Sequence, residues 1–334
     1  MLAQLPTVRL GVLLGGAALA LAAATTFART SSTVSQSPSS APAAAVPGPA
    51  LSEGSIPVVK EHRYRMSAKI RPLLLFWIGK DNVGGARARW RQGANGERGY
   101  DLLIGSDPKR APRQVNRWGF ILEESRGPES TVLGVIRKGE DESLEAAKAD
   151  VGAEGTRGYG WKMIQGRSDA QQCMATVTTT QVPANYSYRD LDRLLDALVK
   201  FPGPPNVKKI GVPPGGRAGF LTALADLVRD TVEAVRRDGR APGRKSLPYA
   251  YFGKHYDLTR TGASIKSGAQ YGGTTYPRLV EASFQLRARG ADWTESFTLA
   301  LGLEGPLAEV PVFASYQPKW WFKADMVLDD RETF

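Results

Sequence analysis

The residues best suited to chemistry in this chain are arginines that alternate with apolar side chains. The segment GGARARWR, residues 84–91, places Arg87, Arg89 and Arg91 at every second position after two glycines. A phosphate loop of the Walker type would continue through Gly-Lys-Ser/Thr into a helix, and this segment does not. The alternation instead predicts a strand with all three guanidinium groups on one face, and residues 79–85 are predicted to form the hairpin turn before it.

A second row of cations lies just before this segment. Arg63, Arg65, Lys69 and Arg71 all fall on one side of the alternation in EHRYRMSAKIR, residues 61–71. Between Val58 and Arg126 the chain holds fifteen Lys or Arg and seven Asp or Glu, so 15 − 7 = +8 of its formal net charge of +11 lies in this part. The sequence therefore predicts a strongly basic first quarter of the folded region.

If the two rows share one face of a sheet, they form a positive surface suited to an anionic glycan, a lipid headgroup or an envelope protein. The alternative is a solvated sheet face whose arginines pair with acids such as Glu97, Asp101 and Glu123 and cover apolar surface with their stems. Nucleic acid is not expected, since the chain carries no motif of that kind. The predicted ligand-binding residues are Arg63, Arg65, Arg71, Arg87, Arg89 and Arg91.

The two histidines limit where a hydrolase site could lie. His62 falls on the apolar side of its predicted strand and is expected in the core. His255 and Asp257 lie two residues apart, so they would project from one face of a strand, and they are the candidates for acid–base catalysis. The alternative for His255 is an ordinary surface histidine.

Disulfide and metal chemistry have few residues to use. Cys173 is the single cysteine, which excludes an intramolecular disulfide. With His62 and His255 it makes only three imidazole or thiol ligands in the chain, so no metal site and no cofactor are predicted.

The N-terminal residues predict export. After Arg9, residues 10–28 carry no charge and consist mainly of Leu, Val, Ala and Gly, which is typical of a secretory signal peptide over residues 1–28. A retained N-terminal anchor is the alternative. Residues 29–56 are rich in Ser, Pro and Ala and predict a disordered linker. The mature chain is therefore expected to be secreted or periplasmic, without a transmembrane helix.

Residues 57–334 are predicted to form the globular part, with two subdomains, 57–183 and 247–334, as an alternative to one body. The fold class predicted is α+β, predominantly antiparallel β, as a large sheet or sandwich of about 12–13 strands. Two amphipathic helices, about 188–200 and 218–238, lie between the strand-rich halves because their leucines and valines recur at helical spacing. Strands are predicted near 58–71, 73–79, 86–92, 99–105, 117–124, 131–138, 159–166, 172–182, 249–258, 279–289, 293–303, 309–317 and 319–328.

Two classes of function are consistent with these features. The first is a non-enzymatic envelope or extracellular module that binds an anionic or glycan ligand, or a protein partner, through its basic sheet face. The second is a secreted hydrolase that acts on envelope polymers, with His255 and Asp257 near its site. A deep pocket lined by His255 would favour the enzyme, and a shallow basic face would favour the binding module.

Overall fold

The computed structural model describes residues 56–70, 77–112, 116, 118–137, 158–169, 171–183, 186–191, 193, 206–251, 253–290, 294–319 and 322–332. The predicted signal peptide, 1–28, and the predicted linker up to residue 55 lie outside these residues. Export and the linker therefore stay predictions from sequence.

The described chain is mostly antiparallel strand, as its alternation predicts. Fourteen strands are present in the described residues, slightly more than the 12–13 expected. They are β1 (Val58–Ile70), β2 (Ile78–Gln92), β3 (Arg98–Ser106), β4 (Trp118–Arg126), β5 (Glu129–Arg137), β6 (Gly158–Ser168), β7 (Gln172–Pro183), β8 (Asn206–Gly211), β9 (Lys245–Tyr251), β10 (Lys254–Tyr271), β11 (Thr274–Ala288), β12 (Thr294–Gly302), β13 (Pro311–Lys319) and β14 (Phe322–Leu328).

All fourteen strands belong to one sheet, in the order β8-β7-β6-β5-β4-β3-β2-β1-β14-β13-β12-β11-β10-β9. Strands adjacent in sequence are neighbours in the sheet throughout each half, although the long segments 138–157 and 184–205 separate β5 from β6 and β7 from β8. The two halves meet where β1 pairs with β14, with Tyr64 opposite Leu328 and Ile70 opposite Phe322. The N-terminal and C-terminal strand-rich halves therefore share one continuous hydrogen-bonded sheet.

One of the two predicted helices is confirmed. Helix α1 (Phe220–Asp238) matches the prediction for 218–238 and ends at Gly239, whose left-handed backbone donates its amide to the Val235 carbonyl. The other predicted helix, 188–200, is not supported. In the described residues it begins as a single 3-10 turn, Tyr188–Asp190, and all but two residues of its remainder lie outside the described part. No helix in the described residues is long and apolar enough to cross a membrane.

The predicted hairpin at residues 79–85 is wrong. Strand β2 continues through Gly84 and Gly85, which pair with Met66 and Arg65 of β1, and residues 81–83 form a register irregularity in which Asn82 has a φ of 56°. A Cβ atom on Gly84 would lie 2.1 Å from the Gly105 carbonyl oxygen, so this glycine permits close approach of two strands. The covered strand predicted at 73–79 is also not seen, because residues 71–76 lie outside the described part and Ile78 is exposed.

Helix α1 defines an inner and an outer face of the sheet. It packs on β9–β12 and also on β3, which are far apart in the sheet order, so the sheet curves around the helix. The inner face carries the main core, formed by α1 and by residues such as Tyr64, Met66 and Phe284. The outer face of β3–β5 has a separate cluster that is covered by Tyr188 and Leu191.

The segment between β8 and α1 closes off one edge of the sheet. Arg217 pairs with Tyr249 as an isolated parallel bridge, and its backbone exchanges hydrogen bonds of 3.1 and 2.8 Å with Pro248 and Ala250. These bonds satisfy backbone groups of the edge strand β9 that would otherwise stay open to other chains.

Candidate functional site

An apolar cleft lies between α1 and the inner face of the sheet. The centres of water-sized molecules can occupy about 150 Å³ of it. Most of its wall is aliphatic or aromatic, which is typical of ligand pockets. It is lined by Tyr64, Ala86, Ala88, Arg89, Trp90, Tyr100, Asp101, Leu102, Ile104, Phe220, Leu221, Leu224, Ala225, Val228, Arg229, Leu299, Glu309, Pro311, Ala314 and Met326.

Local sequence explains why the cleft is there. On α1, Leu221, Leu224, Ala225 and Val228 recur at spacings of three and four, so they form one apolar side of the helix. On the facing strand β2, the inward positions include the small residues Ala86 and Ala88. Because alanines fill little of the space between helix and sheet, room remains there that larger side chains would occupy.

The mouth of the cleft carries an arginine among aromatic and acidic residues. The Arg229 guanidinium interacts with the Tyr100 hydroxyl and lies 3.6 Å from Asp226 and 3.7 Å from Glu309. Burial alone would lower the pKa of Arg229, but Tyr100 and Glu309 outweigh it and raise that pKa. Glu309 has a left-handed backbone with φ of 64°, which is uncommon outside glycine and often marks functional loops.

Beside the cleft, two buried polar groups of β1 have unusual surroundings. His62 is buried, as its place on the apolar side of the strand predicted, and its Nδ1 lies 3.2 Å from the Asp330 carboxylate. Within the described part of the chain, neither His62 Nε2 nor the Tyr64 hydroxyl has a hydrogen-bond partner. Burial also raises the pKa of Tyr64.

The N-terminus of α1 is held by a carboxylate from the sheet. Glu123 of β4 is fully buried and accepts hydrogen bonds from the amides of Leu221 and Thr222, both at 2.9 Å. Burial raises the pKa of Glu123 to about 6, although the bonds from Leu221 and Thr222 act to lower it. The side chain thus fixes the helix end that supplies Phe220 and Leu221 to the cleft wall.

The two arginine rows share one face of the sheet, which the sequence had left as a condition. Arg63 of β1 lies opposite Arg87 of β2, and Glu61 lies opposite Arg89. This is the outer face, so the rows lie on the side of the sheet away from α1. Arg71 lies outside the described residues.

Ion pairs neutralise much of this basic face. Glu61 binds both Arg63, at 2.8 Å, and Arg89, at 2.7 Å. Arg91 binds Asp101 at 2.9 Å, and Asp101 is itself buried. Of the three acids expected as partners, Asp101 pairs in this way, Glu97 lies 3.9 Å from Arg126, and Glu123 is on the inner face under α1. Arg65 lies 3.5 Å from Asp329.

His255 and Asp257 occupy one strand but engage different partners. His255 Nε2 lies 2.6 Å from the Gly211 carbonyl oxygen at the end of β8. Asp257 accepts a hydrogen bond of 2.6 Å from Arg289. Neither residue lines the cleft. The structure therefore does not bring this pair to the pocket that a hydrolase would use.

Metal and thiol chemistry have no assembled site in the described part of the chain. No group of three or more His, Cys, Asp or Glu side chains there is placed to hold a metal ion. Cys173 is buried beside Ser168, and burial raises the pKa of its thiol. A thiol of this kind is less reactive than an exposed thiolate.

The cleft residues were missed by sequence reasoning. Helical spacing identified the apolar side of α1 but predicted only that the helix would lie on a sheet. One usable signal was present: Gly84, Ala86 and Ala88 are three small residues in a row on the inward side of β2, before the bulky Trp90. That signal has meaning only once the strand facing α1 is known.

The chain was compared with protein-family models, curated proteins and solved structures. No protein-family model and no curated protein matches the chain. Among solved structures it is similar to a β-barrel-like protein of a domain of unknown function, DUF1849, from Brucella abortus, with 9% sequence identity and a TM-score of 0.41. That match covers 83% of this chain and 98% of the other.

Proposed function

We propose that this protein is an exported, non-enzymatic binding protein that holds a small molecule with an extended apolar portion in the cleft between α1 and the sheet. The proposal of export depends on residues 1–28 alone. The observation that carries the binding proposal is the apolar wall of the cleft, to which both α1 and β1–β3 contribute.

An unfilled apolar space is costly for a folded chain. Interiors are packed as densely as organic crystals, and a gap between helix and sheet loses dispersion contacts on both sides. Replacing Ala86 or Ala88 by a larger apolar residue would fill this space. A ligand that occupies the cleft would restore the lost dispersion contacts, and this favours a role for the cleft in binding.

The size of the cleft favours a small molecule over a protein. A stable protein interface buries about 800 Å² on each partner. A cleft with room for about 150 Å³ of water centres is too small to supply such an area, but it suits a narrow apolar chain.

The proposal can be tested by filling the cleft with a tryptophan side chain. N-phenyl-1-naphthylamine, an uncharged fluorescent probe, is titrated into the protein and into two variants. Ala225→Trp places a large ring in the cleft, whereas Ala234→Trp adds the same ring to α1 away from the residues that line it. We expect binding to the parent and to Ala234→Trp, and at least a tenfold loss in Ala225→Trp. Equal binding by all three proteins, or none by the parent, would refute the cleft as the site.

The basic outer face supports a second candidate function, binding of an anionic glycan. Seven cations lie on this face against four acids, a surplus of 7 − 4 = +3, and like charges are directly opposed at Arg63 and Arg87 and at Lys69 and Lys323. Opposed like charges destabilise a sheet, so an anion would relieve them. The residues counted are Arg63, Arg65, Lys69, Arg87, Arg89, Arg91 and Lys323 against Glu61, Asp101, Asp325 and Asp329.

Salt-dependent binding tests this second function. Dextran sulfate is the probe, at low and at physiological ionic strength, and Arg63→Gln with Arg65→Gln is the variant. Arg278→Gln is the control, because Arg278 lies on β11, away from both rows. We expect binding that weakens with salt and falls in the double variant alone. Binding that does not change with salt concentration, or that is equal in the parent protein and in both variants, would exclude the outer face as the binding site. His255 contacts the Gly211 carbonyl and Asp257 contacts Arg289, so neither contact favours the hydrolase alternative.

A further inference from the structure

We infer that the ligand of the cleft is a single-chain anionic amphiphile and that Arg229 holds its head group. This inference rests on the function proposed above and adds the chemical class of the ligand. It follows from the way in which Arg229 differs from the other partly buried arginines.

Arg229 lacks a close carboxylate partner in the described structure. Its nearest carboxylate oxygens lie at 3.6 Å on Asp226 and 3.7 Å on Glu309, beyond normal hydrogen-bond distance. By contrast, Arg91 lies 2.9 Å from Asp101, and Arg260 lies 2.8 Å from Asp230. Arg229 therefore makes longer contacts to its two acids than these arginines make to theirs, which leaves its N–H donors available for shorter bonds.

The acid next to Arg229 is already engaged elsewhere. Asp226 accepts a hydrogen bond of 2.5 Å from Arg217, so its negative charge is shared with a second guanidinium. Glu309 is the other acid at the mouth, whereas the Arg89 side chain points to the outer face, where Glu61 holds it at 2.7 Å. The charges around Arg229 balance, with Arg229 and Arg217 against Asp226 and Glu309, so an anionic head group would take the place of the long contacts to these acids rather than fill a net positive charge.

Arg229 also stands where a head group would emerge. It follows Val228 on α1, so it lies at the end of the apolar helical wall. Trp90 and Tyr100 flank the same part of the cleft, and both are half-buried. Aromatic rings with an apolar body and a polar edge are favoured at the boundary between an apolar interior and water. A chain inside the cleft would thus bring its polar end to the guanidinium.

The chemistry of the guanidinium selects the class of head group. Its planar array of donors matches a carboxylate, sulfate or phosphate with two parallel hydrogen bonds. An uncharged alcohol of the same chain length would keep the apolar part of the binding and could accept one hydrogen bond, but it would lack the charge and the second parallel bond. The expected preference is about tenfold or more, because a hydrogen bond to a charged group contributes about 1.5–3 kcal/mol.

The test compares dodecanoate with dodecan-1-ol by calorimetry, below the concentrations at which either aggregates. The proteins are the full chain, Arg229→Gln, Arg229→Lys and the control Arg237→Gln, which alters an exposed arginine of the last helical turn. We expect Arg229→Gln to lose about tenfold in affinity for dodecanoate and less than twofold for dodecan-1-ol. Arg229→Lys keeps the charge and should lose less, and Arg237→Gln should behave as the parent protein.

The outcomes separate this inference from the function on which it rests. If the parent protein binds neither compound, the proposed function fails. If it binds both and Arg229→Gln changes the two affinities equally or not at all, the inference is overturned while the cleft remains a binding site. Circular dichroism of each variant verifies that a loss of affinity is not a loss of fold.

Discussion

Glu123 Oε1 accepts a hydrogen bond of 2.9 Å from the backbone amide of Leu221, although 98 residues separate the two in sequence. The bond joins β4 to the first turn of α1. A long-range carboxylate takes the place of the usual local N-cap, since Gly219 at the cap position offers no side chain. A Cβ atom at Gly219 would lie 2.2 Å from Glu123 Oε2, so the glycine also makes room for the carboxylate.

Removing this cap should destabilise the protein. In Glu123→Ala the amides of Leu221 and Thr222 lose their acceptor while still buried, so we expect the free energy of unfolding to fall by about 2–4 kcal/mol. Urea denaturation measures the change. Glu233→Ala alters an exposed acid of the same helix and should change stability by less than about 0.5 kcal/mol. Similar losses in both variants would contradict the role of Glu123.

The stability of the protein should depend on pH through Glu123. Its pKa is raised from 4.5 to about 6 in the folded state, so between these values the folded chain binds more protons than the unfolded chain. The free energy of unfolding therefore falls as pH rises through this window, by about 2 kcal/mol for this group. The free energy of unfolding of the parent and of Glu123→Gln is measured by denaturation from pH 4 to 7, and the difference between the two curves gives the contribution of Glu123. Parallel curves for the two proteins would show that Glu123 does not titrate in this range.

Gly84 should tolerate no side chain. A Cβ atom there would lie 2.1 Å from the Gly105 carbonyl oxygen and 2.7 Å from Ser106 Cα, both backbone atoms that cannot turn away. We expect Gly84→Ala to cost about 3 kcal/mol or more. In Gly79→Ala, on the same strand, the nearest atom to the new Cβ is in the flexible Lys69 side chain at 3.4 Å, and the Ala68 carbonyl oxygen lies at 3.9 Å, so the change should cost less than about 1 kcal/mol. Thermal unfolding compares the two, and equal melting temperatures would argue against close strand packing at Gly84.

Arginines of the two rows should differ in their effect on stability. Burial raises the pKa of Asp101, and Arg91 opposes that rise, so Arg91→Met leaves a buried carboxylate without its partner. We expect a loss of about 3–5 kcal/mol. Arg65 is more exposed and lies 3.5 Å from Asp329, so Arg65→Met should cost less than about 1 kcal/mol. If chemical denaturation shows a larger loss of unfolding free energy for Arg65→Met than for Arg91→Met, the stabilising role given to the Arg91–Asp101 pair is wrong.

Local patterns predicted much of the fold. Along β1, buried Tyr64, Met66 and Ala68 alternate with partly exposed Arg63 and Arg65, as a period of two requires. The helix predicted at 218–238 is present as α1 because its apolar residues recur at 3.6-residue spacing. These patterns are written in neighbouring residues and need no knowledge of distant parts of the chain.

Other features could not be predicted in this way. Glycines at 84 and 85 indicate a turn in isolation, yet they lie within β2 because β3 approaches closely there. The leucines after Ser187 have helical spacing, but of the segment predicted there the structure describes only the 3-10 turn Tyr188–Asp190 and the helical residues Leu191 and Arg193. At Gly84 and Gly85, close contact with a neighbouring strand outweighs the local preference for a turn.

The sequence by itself determined that this chain forms antiparallel strands with one arginine-bearing face, and that α1 has an apolar side. Only the tertiary structure decided that Glu61 and Asp101 neutralise much of that face, and that α1 stands away from Ala86 and Ala88 to leave a cleft. The physical reason is range: side-chain period is set by adjacent residues, whereas charge pairing and empty space depend on which strands the sheet order brings together.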